Sequence, residues 1–421
     1  MDNTDESSTL TTTEQAERNF HHLVLDIAWF GLAVPATSRF LSVYAIRLDA
    51  SPMLLGWLAA LPAIIALATS GLSAWWRRRH ATTVQAVLWP SLGYRLMFLL
   101  PVFTPFLPAP LQPLWLILAV SLPAIPQGIS SVLFLVMLRE SVENTRLTAL
   151  MSRRSLIFNV TVGAATLAFG VWLEKVAFPL NYQVMFLAAF AFSLMSYLNV
   201  QRIQALAPEP LPVEPGAVAS VKPWKSQDFQ RVAFISMIMH ISFFTLAPII
   251  PLHLVNGLGA DEGFMSIFAV AELAAAAIMA AFTNRIVRRI GTRPTIAAGM
   301  FVTAVSSLVL ALTPYLPVTL IASALSGAGW TVAAISLFAF FSESTPADSL
   351  TPYSTLYNQI VMLSIFIGPM VGSQLASSAI DLTAVLLIGT GLRVIAALLT
   401  PLDLFGRPTR QRRAFSVRGL K

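Results

Sequence analysis

The chain has 421 residues, 56% of them hydrophobic and 11% charged, with a formal net charge of +7 and no cysteine. Soluble domains carry about 25% charged residues, so a chain this poor in charge cannot cover a water-exposed surface. Without cysteine, disulfides, thiolate metal sites and cysteine nucleophiles are excluded.

The first stretch, residues 1–20, is polar and rich in Thr, Ser, Glu and Asp. It lacks the basic start and cleavage site of a signal peptide and reads as a mobile cytoplasmic tail. Twelve apolar segments follow, each near the ~20 residues that cross a hydrocarbon core. Six fall in residues 21–203, near 22–46, 52–76, 82–104, 112–138, 147–172 and 182–203. Hydropathy collapses over 204–229, where Ala207-Pro-Glu-Pro-Leu-Pro-Val-Glu-Pro-Gly216 reads as an extended, semi-rigid linker. Six more segments fall in 230–406, near 231–255, 262–285, 293–313, 316–341, 352–378 and 382–404, before a basic tail at 407–421. Backbone groups in lipid must bond within their own segment, which makes each of these a helix. The predicted fold class is therefore an all-α polytopic membrane protein with two six-helix bundles.

Lysines and arginines orient the spans. With the N-terminus inside, 22 of them, including Arg77 to Arg79, Arg285, Arg288 and Arg289, fall on the cytoplasmic side, against Arg47 and Lys175 outside. This asymmetry satisfies the positive-inside rule and accounts for the basic balance through topology and anionic lipid head groups. Nucleic-acid binding is not needed to explain it, and an integral plasma (inner) membrane protein with both termini cytoplasmic is expected.

The halves repeat weakly. Leu58 to Pro62 aligns with Phe268 to Glu272 at an offset that also places Arg78-Arg79 on Arg288-Arg289, and Glu140-Ser141 aligns with Glu343-Ser344. Parallel repeats of this kind place the substrate between the halves near the midplane. On these features the chain resembles the major facilitator superfamily over roughly residues 21–405. The most specific segment runs from Asn284 through Arg285, Arg288 and Arg289 to Gly291 and Arg293. It is similar to the basic conformational loop of that family, with Asn284 where an Asp is usual, and its first-half counterpart carries Trp75 at that place. Ala124-Ile-Pro-Gln127-Gly128 is similar to the family's Arg-x-x-Gln-Gly motif, with Ala124 replacing the arginine associated there with proton coupling. The resemblance implies a twelve-helix secondary transporter, monomeric by default.

Ionisable groups inside a span are costly and are functional candidates. His240 and Glu272 each lie about nine or ten residues from a helix end, at ~1.5 Å per residue near the midplane. They are expected to form a coupled pair, with Glu272 carrying a proton or meeting a cationic substrate; the alternative is a structural Glu272 and a satisfied interior histidine. Gln127 and Arg39 are expected to line the cavity, with Trp330 as an aromatic wall, while Arg393 is left open between a structural role and neutralising an acid or binding an anion. Arg95 is expected to snorkel outward, and Asp26 to meet interfacial water or the basic loops. Pro35, the pair Pro123 and Pro126, and the pair Pro248 and Pro251 are expected to break spans one, four and seven. Gly163 and Gly170 are expected to permit close helix approach.

No phosphate loop, catalytic triad, nucleotide fingerprint or metal cluster is legible, so neither an enzyme nor a cofactor is expected. The expected function is secondary transport of a small molecule by alternating access, first of all proton-coupled efflux of an amphipathic compound. Uptake or uniport of a sugar, anion or lipid is the alternative, as is a non-transporting receptor or scaffold on a transporter fold.

Overall fold

A computed structural model describes residues 12–142, 144–206, 223–346, 350–378 and 380–402. It contains twelve helices long and apolar enough to cross a membrane, numbered here as spans in chain order. Span 1 is Glu14–Arg47, span 2 Pro52–Ser70, span 3 Thr83–Phe106, span 4 Ala109–Leu138, span 5 Ala149–Lys175 and span 6 Leu180–Gln201. Span 7 is Gln227–Gly257, span 8 Glu262–Ile290, span 9 Thr292–Leu312, span 10 Leu316–Ser344, span 11 Tyr353–Ser377 and span 12 Leu382–Leu399. Successive spans run antiparallel, as short connections require, and form two bundles of six. The arginine-bearing ends (Arg77 to Arg79 after span 2, Arg288 and Arg289 in span 8) share one side, termed the basic end; the opposite side is the far end.

The helix of span 1 starts at Thr12, so residues 12–20 are not the mobile tail that their polarity suggested. One face of this stretch is buried: Ala16, Asn19 and Leu23 are at most 1% exposed. The Asn19 side-chain amide donates to the carbonyls of Ser141 and Gln204, at 2.9 and 2.6 Å, stapling the start of span 1 to the ends of spans 4 and 6. Residues 1–11, the linker stretch 207–222 and the basic tail 407–421 lie outside the described residues.

The expected helix breaks occur. Span 1 is interrupted between Ala33 and Leu41, with a short turn Pro35–Ser38 between the two helical pieces. Span 4 breaks at Leu122 and Pro123. Span 7 breaks between Phe244 and Ile249 and ends in a π-turn at His253–Gly257. Proline supplies no N–H and its ring crowds the preceding turn, which is why each break sits at or beside one. The basic segment read as a loop after span 8 is helical as far as Ile290; the helix stops at Gly291, whose φ of +89° a side chain would strain.

The bundles meet through two helix pairs, span 2 on span 11 and span 5 on span 8. Small residues let the backbones approach. A Cβ on Gly170 would collide with the Ser266 side chain, whereas one on Gly163 would meet nothing within 4 Å. The reading of both glycines as close-approach sites therefore holds for Gly170 and fails for Gly163. Replacing Gly170 by Leu is expected to cost about 1–3 kcal/mol through overpacking and to lower the melting temperature in detergent. Gly163→Ala should leave the melting temperature unchanged or raise it, since it relieves a helix-interior glycine of up to about 1 kcal/mol.

Candidate functional site

Among the described residues, the hydrogen bonds and ion pairs between the two bundles form two groups. At the far end, Glu262 at the start of span 8 is gripped from the other bundle. Arg47 donates Nε and one Nη to its two carboxylate oxygens at 2.9 and 3.0 Å, and the Tyr182 hydroxyl donates at 2.9 Å. Tyr182 is itself stacked on Tyr44, with ring centroids 4.3 Å apart. Two-pronged guanidinium–carboxylate contacts combine charge with fixed geometry, so this cluster acts as a clasp. The second group lies deeper: Arg39, within the break in span 1, donates to Glu272 in span 8 at 2.6 Å. Both side chains remain about a quarter exposed, at 27 and 25%.

A cavity of about 390 Å³ lies between the bundles, and Arg39, Glu272, His240 and Trp330 are not part of its wall. Thr37, Ser38 and Ser42 from span 1 supply hydroxyls; Phe244 and Ala247 from span 7, and Ile365 and Pro369 from span 11, supply apolar wall. The breaks of spans 1 and 7 thus open onto one space. In span 7 the interruption also frees a carbonyl. Pro248 has no N–H to offer Phe244, so the Ala247 amide turns to the Phe244 carbonyl at 3.0 Å and the Phe243 carbonyl loses its helical donor. Arg393 of span 12 takes it at 3.0 Å and holds the Thr303 carbonyl at 2.9 Å. Arg393, 1% exposed, therefore repairs a broken helix, the structural one of the two roles left open for it.

Trp330 in span 10 stacks on Phe243 with centroids 4.0 Å apart and meets His240 edge-on at 5.3 Å. The proposed His240–Glu272 couple does not form. His240 is 7% exposed and its Nδ1 donates to the Ser236 carbonyl at 2.8 Å, while the partner of Glu272 is Arg39. Similar depth on consecutive spans does not bring side chains together when the two helices present different faces.

The first bundle holds a buried ionic cluster that sequence reasoning misplaced. Asp26 (4% exposed) accepts from Arg154 at 3.0 Å and from the Ser196 hydroxyl at 2.6 Å, and lies 4.0 Å from Arg95. Arg95 (3% exposed) donates to the Ser193 and Ser91 carbonyls, both at 2.7 Å, and to the Ser196 hydroxyl at 2.8 Å. Arg95 does not snorkel but finds its partners inside the bundle, and Asp26, of its two expected surroundings, meets the basic segment, through Arg154. Gln127 lines a cavity next to this cluster rather than the space between the bundles. Asn284, Arg285, Arg288 and Arg289 are exposed on the helix at the basic end.

Glu262, Tyr182 and Arg154 escaped the sequence reading. A signal existed for Glu262: Arg47 is one of only two basic residues at the far end, and Asp261 and Glu262 are the acids that open span 8. Removing one partner of a buried ion pair costs about 3–5 kcal/mol, so Asp26→Asn is expected to destabilise the protein strongly. Glu272→Gln, at a partly exposed pair, should cost at most about 1 kcal/mol. Melting temperatures of the two purified variants compare these values directly.

Residues 232–419 match the family model described as Major Facilitator Superfamily. No curated protein sequence matches the chain significantly. Among solved structures, a bacterial homologue of the human lysosomal transporter Spinster, inward-facing and unoccupied, aligns with a TM-score of 0.67 at 12% identity, covering 92% of this chain and 95% of that one. A bacterial homologue of the iron transporter ferroportin, inward-facing, aligns with a TM-score of 0.68 at 14% identity over 91 and 98% of the two chains. The xylose transporter XylE from E. coli, in a partially occluded inward-open conformation, gives 0.66 at 11% identity over 92 and 97%. The second half of the chain thus matches the Major Facilitator Superfamily model, and the chain as a whole shares the fold of these transporters.

Proposed function

We propose that this protein is a secondary transporter that carries an amphipathic small molecule out of the cytoplasm by alternating access, driven by protons through Glu272. The observation that carries this reading is the Arg39–Glu272 pair, which joins the two bundles at 2.6 Å, with Arg39 next in sequence to Ser38 on the wall of the cavity between them. A cavity of about 390 Å³ with three hydroxyls on a mostly apolar wall suits a small ligand with few polar groups. The positive-inside rule puts the basic end and both termini in the cytoplasm. With the clasp at Glu262 shut at the far end, the conformation described here is then the inward-facing one, as in the Spinster and ferroportin homologues. A monomer in the plasma membrane, surrounded by lipid and without a nucleic-acid partner, is the working form.

The coupling logic is electrostatic. An ionised Glu272 is attracted to Arg39 and holds the bundles together; a protonated Glu272 loses the charge–charge attraction and keeps only a hydrogen bond accepted from the cationic guanidinium. Proton binding and release at one carboxyl would thus change the free energy of separating the bundles. Energy differences of this size shift a two-state equilibrium only when the ligand discriminates between the states, which the position of the pair across the moving interface provides.

In proteoliposomes screened with fluorescent amphipathic dyes, an imposed pH gradient should drive dye flux in the native protein. Glu272→Gln should reduce gradient-driven flux at least tenfold while leaving downhill dye exchange in place. Equal gradient-driven flux in both proteins would remove Glu272 from coupling and favour uniport; no flux of any dye in either protein would favour a receptor or scaffold role.

Orientation is tested separately. The chain has no cysteine, so Asp49→Cys and Arg288→Cys each introduce a single thiol. A membrane-impermeant maleimide should label the first in intact cells and the second only after permeabilisation. The reverse pattern would invert both the topology and the direction of the proposed cycle.

A further inference from the structure

The cavity of the first bundle has a volume of about 380 Å³ and lies between spans 1, 3, 4 and 5, apart from the space between the bundles. Its wall has two chemistries. Phe30, Tyr94 and Phe134 supply an aromatic side, and Asp26, Arg95 and Arg154 supply charge, with the Arg154 guanidinium 5.3 Å from the centre of the Phe134 ring. These three ionisable residues are 4, 3 and 7% exposed, and they comprise two cations and one anion.

The two arginines are engaged differently. Arg95 places Nε and both terminal nitrogens on serine acceptors. Arg154 uses one terminal nitrogen alone, for the Leu23 carbonyl and Asp26. Its Nε and second terminal nitrogen make no hydrogen bond among the described residues. Two buried cations share one carboxylate, Asp26, and the excess buried charge is costly; a guanidinium edge with two free N–H groups matches a second carboxylate in the two-pronged geometry. The aromatic side offers an apolar body a place to lie.

We infer that this cavity is a binding site for a small amphipathic monoanion, whose carboxylate meets the free edge of Arg154 and whose apolar part lies against Phe30 and Phe134. The site lies within one bundle and does not depend on the direction or coupling of transport. A volume of about 380 Å³ accommodates a bicyclic aromatic carboxylate and excludes a whole diacyl phospholipid. The remaining lipid possibility is that the anionic head group of a phospholipid reaches in while its tails stay outside, and the test separates the two.

The experiment uses the full chain in a neutral detergent, with 2-naphthoate as probe and its neutral amide and the corresponding naphthylmethylammonium as controls. Binding is read by thermal shift, since a ligand of the folded state raises the melting temperature by mass action, and by calorimetry. Naphthoate should bind at least tenfold more tightly than either control. Ser131 lines the cavity and takes no part in the ionic cluster, so Ser131→Phe should weaken naphthoate binding at least tenfold without lowering the melting temperature of the empty protein. Arg154→Gln should abolish the preference for the anion; if that variant fails to fold, the Ser131→Phe result decides alone. Equal binding of acid and amide, or binding untouched by Ser131→Phe, would overturn the inference. Binding lost instead on Ser42→Phe would move the anion to the cavity between the bundles, leaving the transporter reading intact and this one refuted. Displacement of naphthoate by phosphatidylglycerol but not by phosphatidylcholine would assign the site to a lipid head group.

Discussion

A polypeptide inside a hydrocarbon layer has no water to satisfy its amides and carbonyls, and each unsatisfied group costs several kcal/mol. The architecture follows from this constraint, including the places where it is strained. Continuous helices satisfy it locally. Where proline interrupts a helix, the loose groups must be met by something else, and the interruption persists only against protein or a polar cavity. The breaks of spans 1 and 7 obey this rule together: Thr37 and Ser38 from one, Phe244 and Ala247 from the other, border the same cavity. The orphaned Phe243 carbonyl is met by Arg393, a cation buried in the second bundle for that purpose. A helix break, a repairing arginine and a ligand-sized space are consequences of one another.

The charges divide into two populations with different physics. Within a bundle, Asp26, Arg95 and Arg154 are almost fully buried and bonded to serines and carbonyls, an arrangement too costly to take apart in a working cycle. Between bundles, Arg39 and Glu272 keep about a quarter of their side-chain surface exposed, and Arg47 at the far-end clasp is 38% exposed. Partly hydrated pairs are worth little each, so they can be broken and remade. Strong polar contacts thus hold each bundle rigid, while weak ones and small-residue packing join the bundles. Rigid-body rocking requires that distribution.

The twelve spans and the breaks at proline were legible because they depend on local chemistry: the length of an apolar run, the missing N–H of proline and the asymmetry of arginines. Arg39, Glu272 and Trp330 were found as candidates for the same reason, an expensive polar or aromatic group at mid-depth in an apolar run. Even the error over residues 12–20 was a local one. Their polarity looked like a tail, although Ala16, Asn19 and Leu23 follow the spacing of a buried helical face.

Pairing was not legible. Depth along a helix is one coordinate, read by counting residues; the direction a side chain faces and the neighbour it meets depend on how each helix is rotated and on which helices are adjacent. For this reason His240 and Glu272 matched in depth and missed each other, Glu272 met Arg39 from 233 positions away, and Arg95 turned inward to Ser193 and Ser196. Hydrophobic patterning in a uniformly apolar chain carries little information on rotation, because lipid and protein interior are alike in polarity. Only the packing of the two bundles decided which of the buried charges repair the fold and which stand between the bundles.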